Sequence, residues 1–467
     1  MSKYNKEKTG SIFMGKRGAV LAAGLLPMLG GAAHAQSLQD ALSQTTVSGQ
    51  LGATDFAYLN NGHSPYTSNG FGVGGDVIVH TGAFQGFSVG LGGYTGQSLG
   101  LYSKNQNHDD TELTGRTHGL QSIREAYLQY ENGWLELRGG RQMLNTPYAN
   151  QDWYTFSPRA FTGVAGIVNI IGVNAADNDQ APLSLATSTA NLAIFGARIF
   201  DYDSRYSSAF TDGNRYLVHS NGFIMLGARY QNTLDNFDVS LQGWYYDFYG
   251  LGQILYGQGD FATSVGGDRK LFGAVQVSAE GDSGSGHSQY GHVDSHIFGG
   301  KMGMDFGDDN IALIGDYSPQ SYNAFHHGGF IHPYNDNSGT IFTDTMQNGL
   351  EDLGPGYAFG ITGTVVALDE KLKISPTYVE YNADYGFGGN TFSYGGSYGF
   401  PAGETAIHNE KIYVIDLAAT YDLSSVLKGL SVAWDADAAF AQNNSAEAGH
   451  SYNNPYYSNR LYLKYEF

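Results

Sequence analysis

The chain ends in NRLYLKYEF, residues 459–467, a stretch in which apolar and polar side chains alternate with a period of two. The apolar and aromatic set is Leu461, Leu463, Tyr465 and Phe467, and the set between them is Arg460, Tyr462, Lys464 and Glu466. Successive side chains of a β-strand point to opposite faces of its sheet, so this ending predicts a strand with one apolar face and one polar face. An ending of this kind is typical of a sheet that contacts lipid on one side and water on the other.

The composition of the whole chain agrees with a protein built from strands. The 467 residues include 66 Gly, 34 Tyr and 26 Phe, and only 15% of residues are charged. An ordinary domain has about 25% charged residues and about 7% Gly, so this balance favours strands, tight turns and aromatic girdles over helices. There is no cysteine, which excludes disulfides and thiolate metal sites.

The same alternation recurs along the chain, for example in FDVSLQGWYYDF (237–248), FGGKMGMDF (298–306), IYVIDLAATY (412–421) and LSVAWDADAAF (430–440). About 18 such strands can be laid out, an even number of the kind found in bacterial outer-membrane barrels. The connections differ by parity. Those after even-numbered strands are mostly short, such as ENGW, GDDN and LDE, and those after odd-numbered strands are mostly long: 97–119, 143–160, 319–355, 382–410 and 441–455. Short turns at one rim and long loops at the other indicate a transmembrane barrel rather than a soluble sandwich.

The amino terminus has the features of a secretory signal peptide. A basic start that includes Lys16 and Arg17 precedes an apolar run at 19–33 and an Ala-His-Ala motif that ends at Ala35. The pattern predicts a cleaved segment at 1–35, a single barrel domain at 36–467, and a location in the bacterial outer membrane. Without residues 1–35 the chain has 19 basic and 43 acidic residues, a formal charge of −24. No basic patch is visible, so nucleic acid is not an expected partner.

Two segments resemble the outer membrane porin D (OprD) family of bacterial porins: GGDVIVHTGAFQGFSVGLGGYTGQSLGL (74–101) and REAYLQYENGWLELRGGRQMLNTPYANQDWYTFSPRAFTGV (124–164). The second is the more specific and contains Gly-Arg-Gln, Thr-Pro and Pro-x-x-Phe. The similarity extends in patches from about residue 47 to the last residue. It implies an 18-strand barrel, an inward-folded third loop, a lumen lined partly by basic residues, and small solutes that often carry a carboxylate. The chain departs from the better-known branch in its first strand and in its low content of Arg and Lys.

The resemblance makes the 143–160 connection the expected constriction of the pore. Its candidate residues for contact with solutes combine aromatic, amide and charged groups: Asn145, Tyr148, Asp152, Tyr154, Ser157 and Arg159. Groups of this kind determine pore selectivity when they line the narrowest ring of a channel. The alternative is an ordinary surface loop.

Charged residues inside the predicted strands are expected to line the lumen, because Arg or Lys at the bilayer midplane costs roughly 2–4 kcal/mol. The predicted lumenal set is Glu125, Glu136, Arg138, Arg141, Arg198, Arg229, Lys301, Lys373, Asp416 and Lys464. Arg141 follows Gly139-Gly140, where a bulge would turn it toward the loop. Each residue is a candidate solute ligand or a salt-bridge partner within the wall. The net charge predicts cation preference or weak selectivity.

Other functional classes have weaker signals. Gly-x-Ser-x-Gly occurs at Ser88, Ser98 and Ser397, but not in the strand–turn–helix context of a nucleophile elbow. Two histidine-rich stretches, GHSQYGHVDSH (286–296) and AFHHGGFIH (324–332), lie in Gly-rich loops without a rigid frame for a metal. An adhesin or structural barrel would use the long 319–355 loop.

We therefore expect an all-β protein, a closed antiparallel transmembrane β-barrel of about 18 strands. The expected function is passive diffusion of small hydrophilic solutes, with carboxylates, amino acids and ions as the candidates. The sequence predicts no catalytic residue, no cofactor and no metal. The expected partners are outer-membrane lipid and small-molecule solutes, and both a monomer and a homotrimer remain open.

Overall fold

The computed structural model describes residues 37–60, 66–101, 112–115, 117–172, 182–186, 188–205, 207, 209–212, 219–283, 292–321, 323–331, 333, 340–346, 348–383, 410–445 and 450–467. Among these residues, none of the helices combines the length and the apolar character that a membrane-spanning helix requires.

Eighteen strands account for most of the described chain. They are β1 (Thr46–Asn60), β2 (Tyr66–His80), β3 (Phe87–Gln97), β4 (Gly119–Glu131), β5 (Leu135–Gln142), β6 (Ala160–Ile171), β7 (Leu192–Asp203), β8 (Phe223–Leu234), β9 (Phe237–Phe248), β10 (Gly252–Gly266), β11 (Arg269–Gly281), β12 (Asp294–Phe306), β13 (Asp309–Ser318), β14 (Gly356–Ala367), β15 (Leu372–Ala383), β16 (Glu410–Asp422), β17 (Leu430–Ser445) and β18 (His450–Glu466). Helix α1 (Leu38–Ser43) precedes β1, and a 3-10 turn (Phe325–His327) and helix α2 (Leu350–Leu353) lie between β13 and β14.

The strands form one closed antiparallel sheet. Each strand pairs with its neighbours in sequence, and β1 pairs with β18 as well as with β2, which closes the circle. The register at the closure joins Ala53 to Leu463 and Phe56 to Arg460. Closure satisfies the main-chain hydrogen bonds of all edges, which is the condition for strands to survive in lipid. The predicted 18-stranded antiparallel barrel is confirmed.

The connections follow the predicted parity, with three exceptions of note. Two-residue turns join β8 to β9, β10 to β11 and β12 to β13 at one rim. Two links break the rule. The link at 249–251 is short although it lies at the long-loop rim, and the link at 172–191 is long although it lies at the short-turn rim. The expectation of a long loop at 441–455 is wrong, because β17 continues to Ser445 and β18 begins at His450.

The two faces of the wall have opposite character. Alternate side chains along each strand expose aliphatic groups on the outside, such as Val275 (62% exposed), Leu313 (65%) and Leu461 (49%). On the same strand as Leu461, Ser458 and Arg460 face inward and are buried. Tyr465 and Phe467 stack at 6.1 Å near the short-turn rim, as aromatic residues do at a membrane interface. The alternation of NRLYLKYEF thus corresponds to an apolar exterior and a polar interior.

Candidate functional site

The connection between β5 and β6, residues 143–159, folds into the barrel. Most of its side chains are buried, and Tyr148 extends to the opposite wall, where its hydroxyl donates to Ser278 Oγ at 2.7 Å. The Tyr148 ring stacks on Phe330 and meets Tyr246 and Tyr256 edge to face. Burial, with Glu351 as a second cause, raises the pKa of Tyr148 well above its usual range, so its hydroxyl stays a donor at neutral pH. The loop therefore crosses the lumen, as the resemblance implied.

A second anchor of this loop is the ring of Phe156, which lies on glycines of the wall. A Cβ on Gly72 would lie 2.7 Å from the Phe156 ring, one on Gly74 2.8 Å from it, and one on Gly96 3.1 Å from it. Real Cβ atoms essentially never approach another atom within 3.0 Å, so Gly72 and Gly74 of β2 must lack a side chain for the ring to dock, and Gly96 of β3 leaves little room for one. The run GFGVGG in β2 (70–75) provides this flat surface.

Tyr154 lies against two buried arginines of the barrel interior. The guanidinium carbons of Arg205 and Arg460 lie 3.9 and 4.7 Å from the centroid of its ring, within the range of cation–π attraction. Its hydroxyl donates to Glu112 Oε2 at 2.7 Å, and Tyr58 donates to the same oxygen at 3.2 Å. Arg460 in turn donates to the Tyr58 hydroxyl at 2.7 Å. The network joins the 143–159 loop, the 98–118 connection and the wall strands β1 and β18.

Asp152 is the acidic centre of the loop. Its Oδ2 lies 3.4 Å from Arg159 Nη2 and 3.0 Å from Arg205 Nη1, and all three side chains are at least 97% buried. The residue has a φ of 40°, in the left-handed region. Two guanidiniums around one carboxylate fix the turn in the loop and leave these three charges without contact to bulk water.

The six residues predicted in this loop divide by accessibility. Tyr148, Asp152, Ser157 and Arg159 are buried, and the side chains of Tyr148, Asp152 and Arg159 hold the loop rather than face open space. Asn145 and Tyr154 are half-buried, as is Trp153 between them in sequence. The main chain of Asn145 binds Leu183 and Ser184. Within this loop, the accessible side chains that a solute could contact are therefore Asn145, Pro147, Trp153 and Tyr154.

Eight of the ten predicted lumenal charges lie at inward-facing positions of the wall: Glu125, Glu136, Arg138, Arg229, Lys301, Lys373, Asp416 and Lys464. Several are paired within the wall. Arg138 forms an ion pair with Glu136 at 3.0 Å and donates to Gln129 at 2.6 Å. Lys464 pairs with Glu466 at 2.5 Å. Tyr94 donates to Glu125 at 2.8 Å.

Arg141 and Arg198 do not face the lumen, contrary to the expectation. Arg198 pairs across β6 with Val164, whose side chain is 52% exposed on the outer surface. Its guanidinium donates to Asn221 O at 2.7 Å and covers the Phe200 ring. Arg141 similarly donates to Ile123 O, an outward residue. A long arginine side chain can reach the aqueous rim from the outer face. Its charge then does not lie in the bilayer, so the energetic cost of a charge at the midplane does not apply.

Arg124 departs from strict alternation, which would put it on the outer face with Ala126 and Leu128. The register between β3 and β4 shifts between Gly92 and Gly93, so that Arg124 and Glu125 both point inward. Arg124 lies 3.4 Å from Asp203 in an ion pair with no exposure to solvent. A bulge reverses the period of two, and sequence alternation alone does not locate it.

A second inward-folded connection, 319–355, was missed. Its described residues are mostly buried, and three carboxylates of the wall accept hydrogen bonds from its main chain. Glu280 accepts from Ile331 N at 2.8 Å, Asp316 from Thr343 N at 2.6 Å, and Asp416 from Met346 N at 2.8 Å. Tyr381 adds donations to Thr343 O and Asn348 O. Inward acids on β11, β13 and β16 were the available signal, but no feature of the loop's own sequence paired it with them.

A third segment, 182–191, enters from the short-turn rim. Leu183 forms a parallel bridge with Leu144, so this segment contacts the first loop directly. Arg229 of β8 donates to Leu185 O at 2.5 Å, and Gln231 donates to Ala190 O at 3.0 Å. Its unusual length for that rim was the only signal in the sequence.

The residues weighed for other chemistry do not form a second site in the described part of the chain. Ser88 lies within β3, 3.4 Å from His80, and Ser98 follows the strand; Ser397 lies outside the described residues. His292 pairs with Asp282, and His296 with Asp294. Among the described residues, no group of three His, Cys, Asp or Glu is arranged to hold a metal. His287 and His332 lie outside them.

Comparisons with known proteins give matches at the level of structure. Neither a protein-family model nor a curated protein sequence matches this chain. OccK2 (OpdF) of Pseudomonas aeruginosa, solved in complex with glucuronate, is 15% identical and has a TM-score of 0.67 over 90% of this chain and 98% of its own. OccK9 (OpdG) of the same organism is 15% identical, with a TM-score of 0.70 over 91% and 99%. A BenF-like porin of Pseudomonas fluorescens is 13% identical, with a TM-score of 0.69 over the same shares. The chain shares the fold of these proteins.

Proposed function

We propose that this chain is a porin of the bacterial outer membrane, a channel through which small hydrophilic solutes diffuse passively. The observation that carries the proposal is a closed barrel with an apolar exterior and a loop, 143–159, that crosses its interior. A barrel of this kind needs lipid around it, and a loop across its lumen restricts what can pass. The BenF-like porin, which has the same fold, supports this function.

The selective part of the channel is the half-buried surface of the 143–159 loop together with the inward wall charges. Tyr154 presents its ring beside the buried pair Arg205 and Arg460, and Trp153 adds a second half-buried ring next to Tyr94. Solutes move down their concentration gradients past this surface, and no residue is assigned a catalytic role. OccK2, with its bound glucuronate, makes carboxylates one candidate solute class, beside amino acids and ions.

The proposed location requires export, and residues 1–35 are proposed as the cleaved signal peptide, with cleavage near Ala35. Outer-membrane lipid is the partner of the apolar exterior. Each barrel encloses its own lumen, so the proposal applies equally to a monomer and to a homotrimer. The adhesin alternative is weakened, because the described residues of the 319–355 loop bind the interior wall instead of projecting outward.

The test is single-channel conductance of the refolded protein in a planar bilayer, with the reversal potential measured under a KCl gradient. Stepwise conductance supports the channel. A reversal potential on the cation side means that the carboxylates dominate, and one on the anion side means that inward Arg and Lys dominate. A folded barrel that conducts nothing contradicts the proposal.

A further inference from the structure

The inward arginines are occupied by the protein itself. Six described arginines point into the barrel or lie within its loops, and each is at most 5% exposed: Arg124, Arg138, Arg159, Arg205, Arg229 and Arg460. Their guanidiniums bind carboxylates, main-chain carbonyls and aromatic rings of the wall and loops. A solute carboxylate would have to displace these partners, and would leave buried groups unpaired. These arginines brace the interior and are poor candidates to recognise an anion.

Two uncharged amides are among the accessible polar groups on the inward wall of β9 and β10, beside Asp238, Ser240 and Asp260. Gln242 and Gln258 face each other across these strands, and both are half-buried. Gln242 Nε2 approaches Gln258 Oε1 at 3.5 Å, and Trp244 Nε1 donates to Gln242 Oε1 at 3.0 Å. Gln258 Nε2 donates to Asp260 at 2.7 Å, and Tyr256 donates to Gln258 Oε1. An amide has two donor hydrogens and two acceptor lone pairs, so each Gln retains one N–H and Gln242 one acceptor site.

This amide pair lies next to the constriction. Tyr256, which donates to Gln258, also contacts the Tyr148 ring of the first loop. The 182–191 segment binds Arg229 and Gln231 on one side, and the 319–355 loop binds Glu280 and Asp316 on the other. On the β9–β10 wall between them, Gln242, Gln258 and Asp260 stay half-buried rather than buried. The amide pair therefore lies on an accessible strip of wall next to Tyr256 and the first loop.

Charges beside this strip are balanced rather than positive. Two cations and two anions surround it. Arg229 pairs with Gln242 across β8 and β9, and Asp316 lies on the same row beyond Gln276. Asp260 and Lys301 lie on the next row, with Ala274 between them. Lys301 points over the Phe272 ring, and Asp260 is bound to Gln258. A net positive field for anions is therefore absent from this part of the described lumen, while hydrogen-bonding capacity for hydroxyl groups is present.

We propose that the strip formed by Gln242, Gln258 and Asp260 guides neutral, polyhydroxylated solutes, sugars and polyols, in preference to carboxylates of the same size. This inference rests on the proposed channel function. Sugar hydroxyls act as donors and acceptors at once, as the amides do, and an uncharged solute keeps no hydration shell as strong as that of an ion. Because the inward arginines are already bound to groups of the protein, they do not favour a carboxylate over a neutral solute.

The test compares tracer uptake of D-glucose and sodium gluconate into proteoliposomes that contain the full-length channel. The wild-type protein should admit glucose faster than gluconate. In Gln242→Leu/Gln258→Leu, glucose uptake should fall about threefold or more, the factor expected when a neutral hydrogen bond to the solute is lost, while KCl conductance stays near that of the wild type. Thr364→Val is the matched control, since Thr364 is a half-buried lumenal residue of β14 bonded to Ser375. It should leave the uptake ratio unchanged.

A second variant guards against misfolding of the leucine substitutions. Gln242→Glu keeps the shape of the side chain and adds a negative charge, so it should slow gluconate further and retain most glucose uptake. Faster uptake of gluconate than glucose in the wild type overturns the proposed solute class. Equal effects of the double variant and Thr364→Val overturn the proposed strip. Absence of KCl conductance in the wild type would instead reject the channel function itself.

Discussion

The two long connections that fill the barrel, 143–159 and 319–355, are held by different parts of the chain. The first is anchored by its own side chains: Phe156 on wall glycines, Tyr148 on Ser278, and Asp152 between two arginines. The polar anchors of the second are mainly main-chain N–H groups, which donate to carboxylates of the wall, and Ser321 adds one side-chain donation to Asp294. Side-chain anchors make a loop depend on its own sequence, whereas main-chain anchors make it depend on the wall. The comparison can be tested by substituting the anchors on each side.

The largest effect is expected from Phe156→Ala in the first loop. The ring is 5% exposed and lies on Gly72 and Gly74, so its removal leaves a cavity and should lower the free energy of unfolding by about 3–5 kcal/mol. The measurement is denaturant unfolding in detergent, together with single-channel conductance, whose fluctuations should increase as the loop loosens. Phe87→Ala, an outward substitution at 50% exposure, is the control and should cost less. An equal cost for both would refute the glycine-docked anchor.

In the second loop, Asp316→Ala removes the acceptor of Thr343 N and should cost about 1–3 kcal/mol, because a buried N–H loses its partner. We expect new protease cleavage within 319–355 of the folded barrel, while 143–159 stays protected. Asp308→Ala, in the exposed turn between β12 and β13, should change neither property. Protection of 319–355 in the Asp316 variant would mean that the wall carboxylates do not hold this loop.

A smaller effect is expected where Tyr148 of the first loop contacts β11. Tyr148→Phe removes one hydrogen bond to Ser278 and should cost about 0.5–1.5 kcal/mol at neutral pH. The pKa of Tyr148 is raised above that of an unfolded tyrosine, so its stabilising contribution is complete below about pH 10 and is lost as pH rises beyond that value. Alkaline unfolding should therefore be less steep in the variant. The same slope in both proteins would contradict a buried, protonated Tyr148.

The smallest effect is expected from Arg198→Gln, which touches neither loop. The side chain lies on the outer face near the long-loop rim, so stability should change by no more than about 0.5 kcal/mol. Its effect on the reversal potential should be negligible, whereas Lys301→Gln, at an inward position of β12, should move the reversal potential toward cation preference. A clear selectivity change in Arg198→Gln would restore the lumenal position that alternation predicted.

The sequence predicted the features that recur from strand to strand. A period of two predicts the face of each side chain, and the parity of connection lengths predicts the closed barrel. Strand β9 has the expected limits, 237–248, at both ends. The first loop was also found, because its residues resemble those of the porin D family. Its accessible residues, however, were not separated from its buried ones, since burial in a loop depends on the wall it meets.

The tertiary structure decided what repetition does not encode. A bulge opposite Gly92 turned Arg124 inward, and proximity to the rim let Arg141 and Arg198 stay outside. The 319–355 loop lies in the lumen, where main-chain N–H groups, which every residue except proline supplies, donate to three inward carboxylates. Alternation is a local property that each strand carries by itself. The partners of a loop or an arginine come from strands distant in sequence, and only closure of the barrel brings them together.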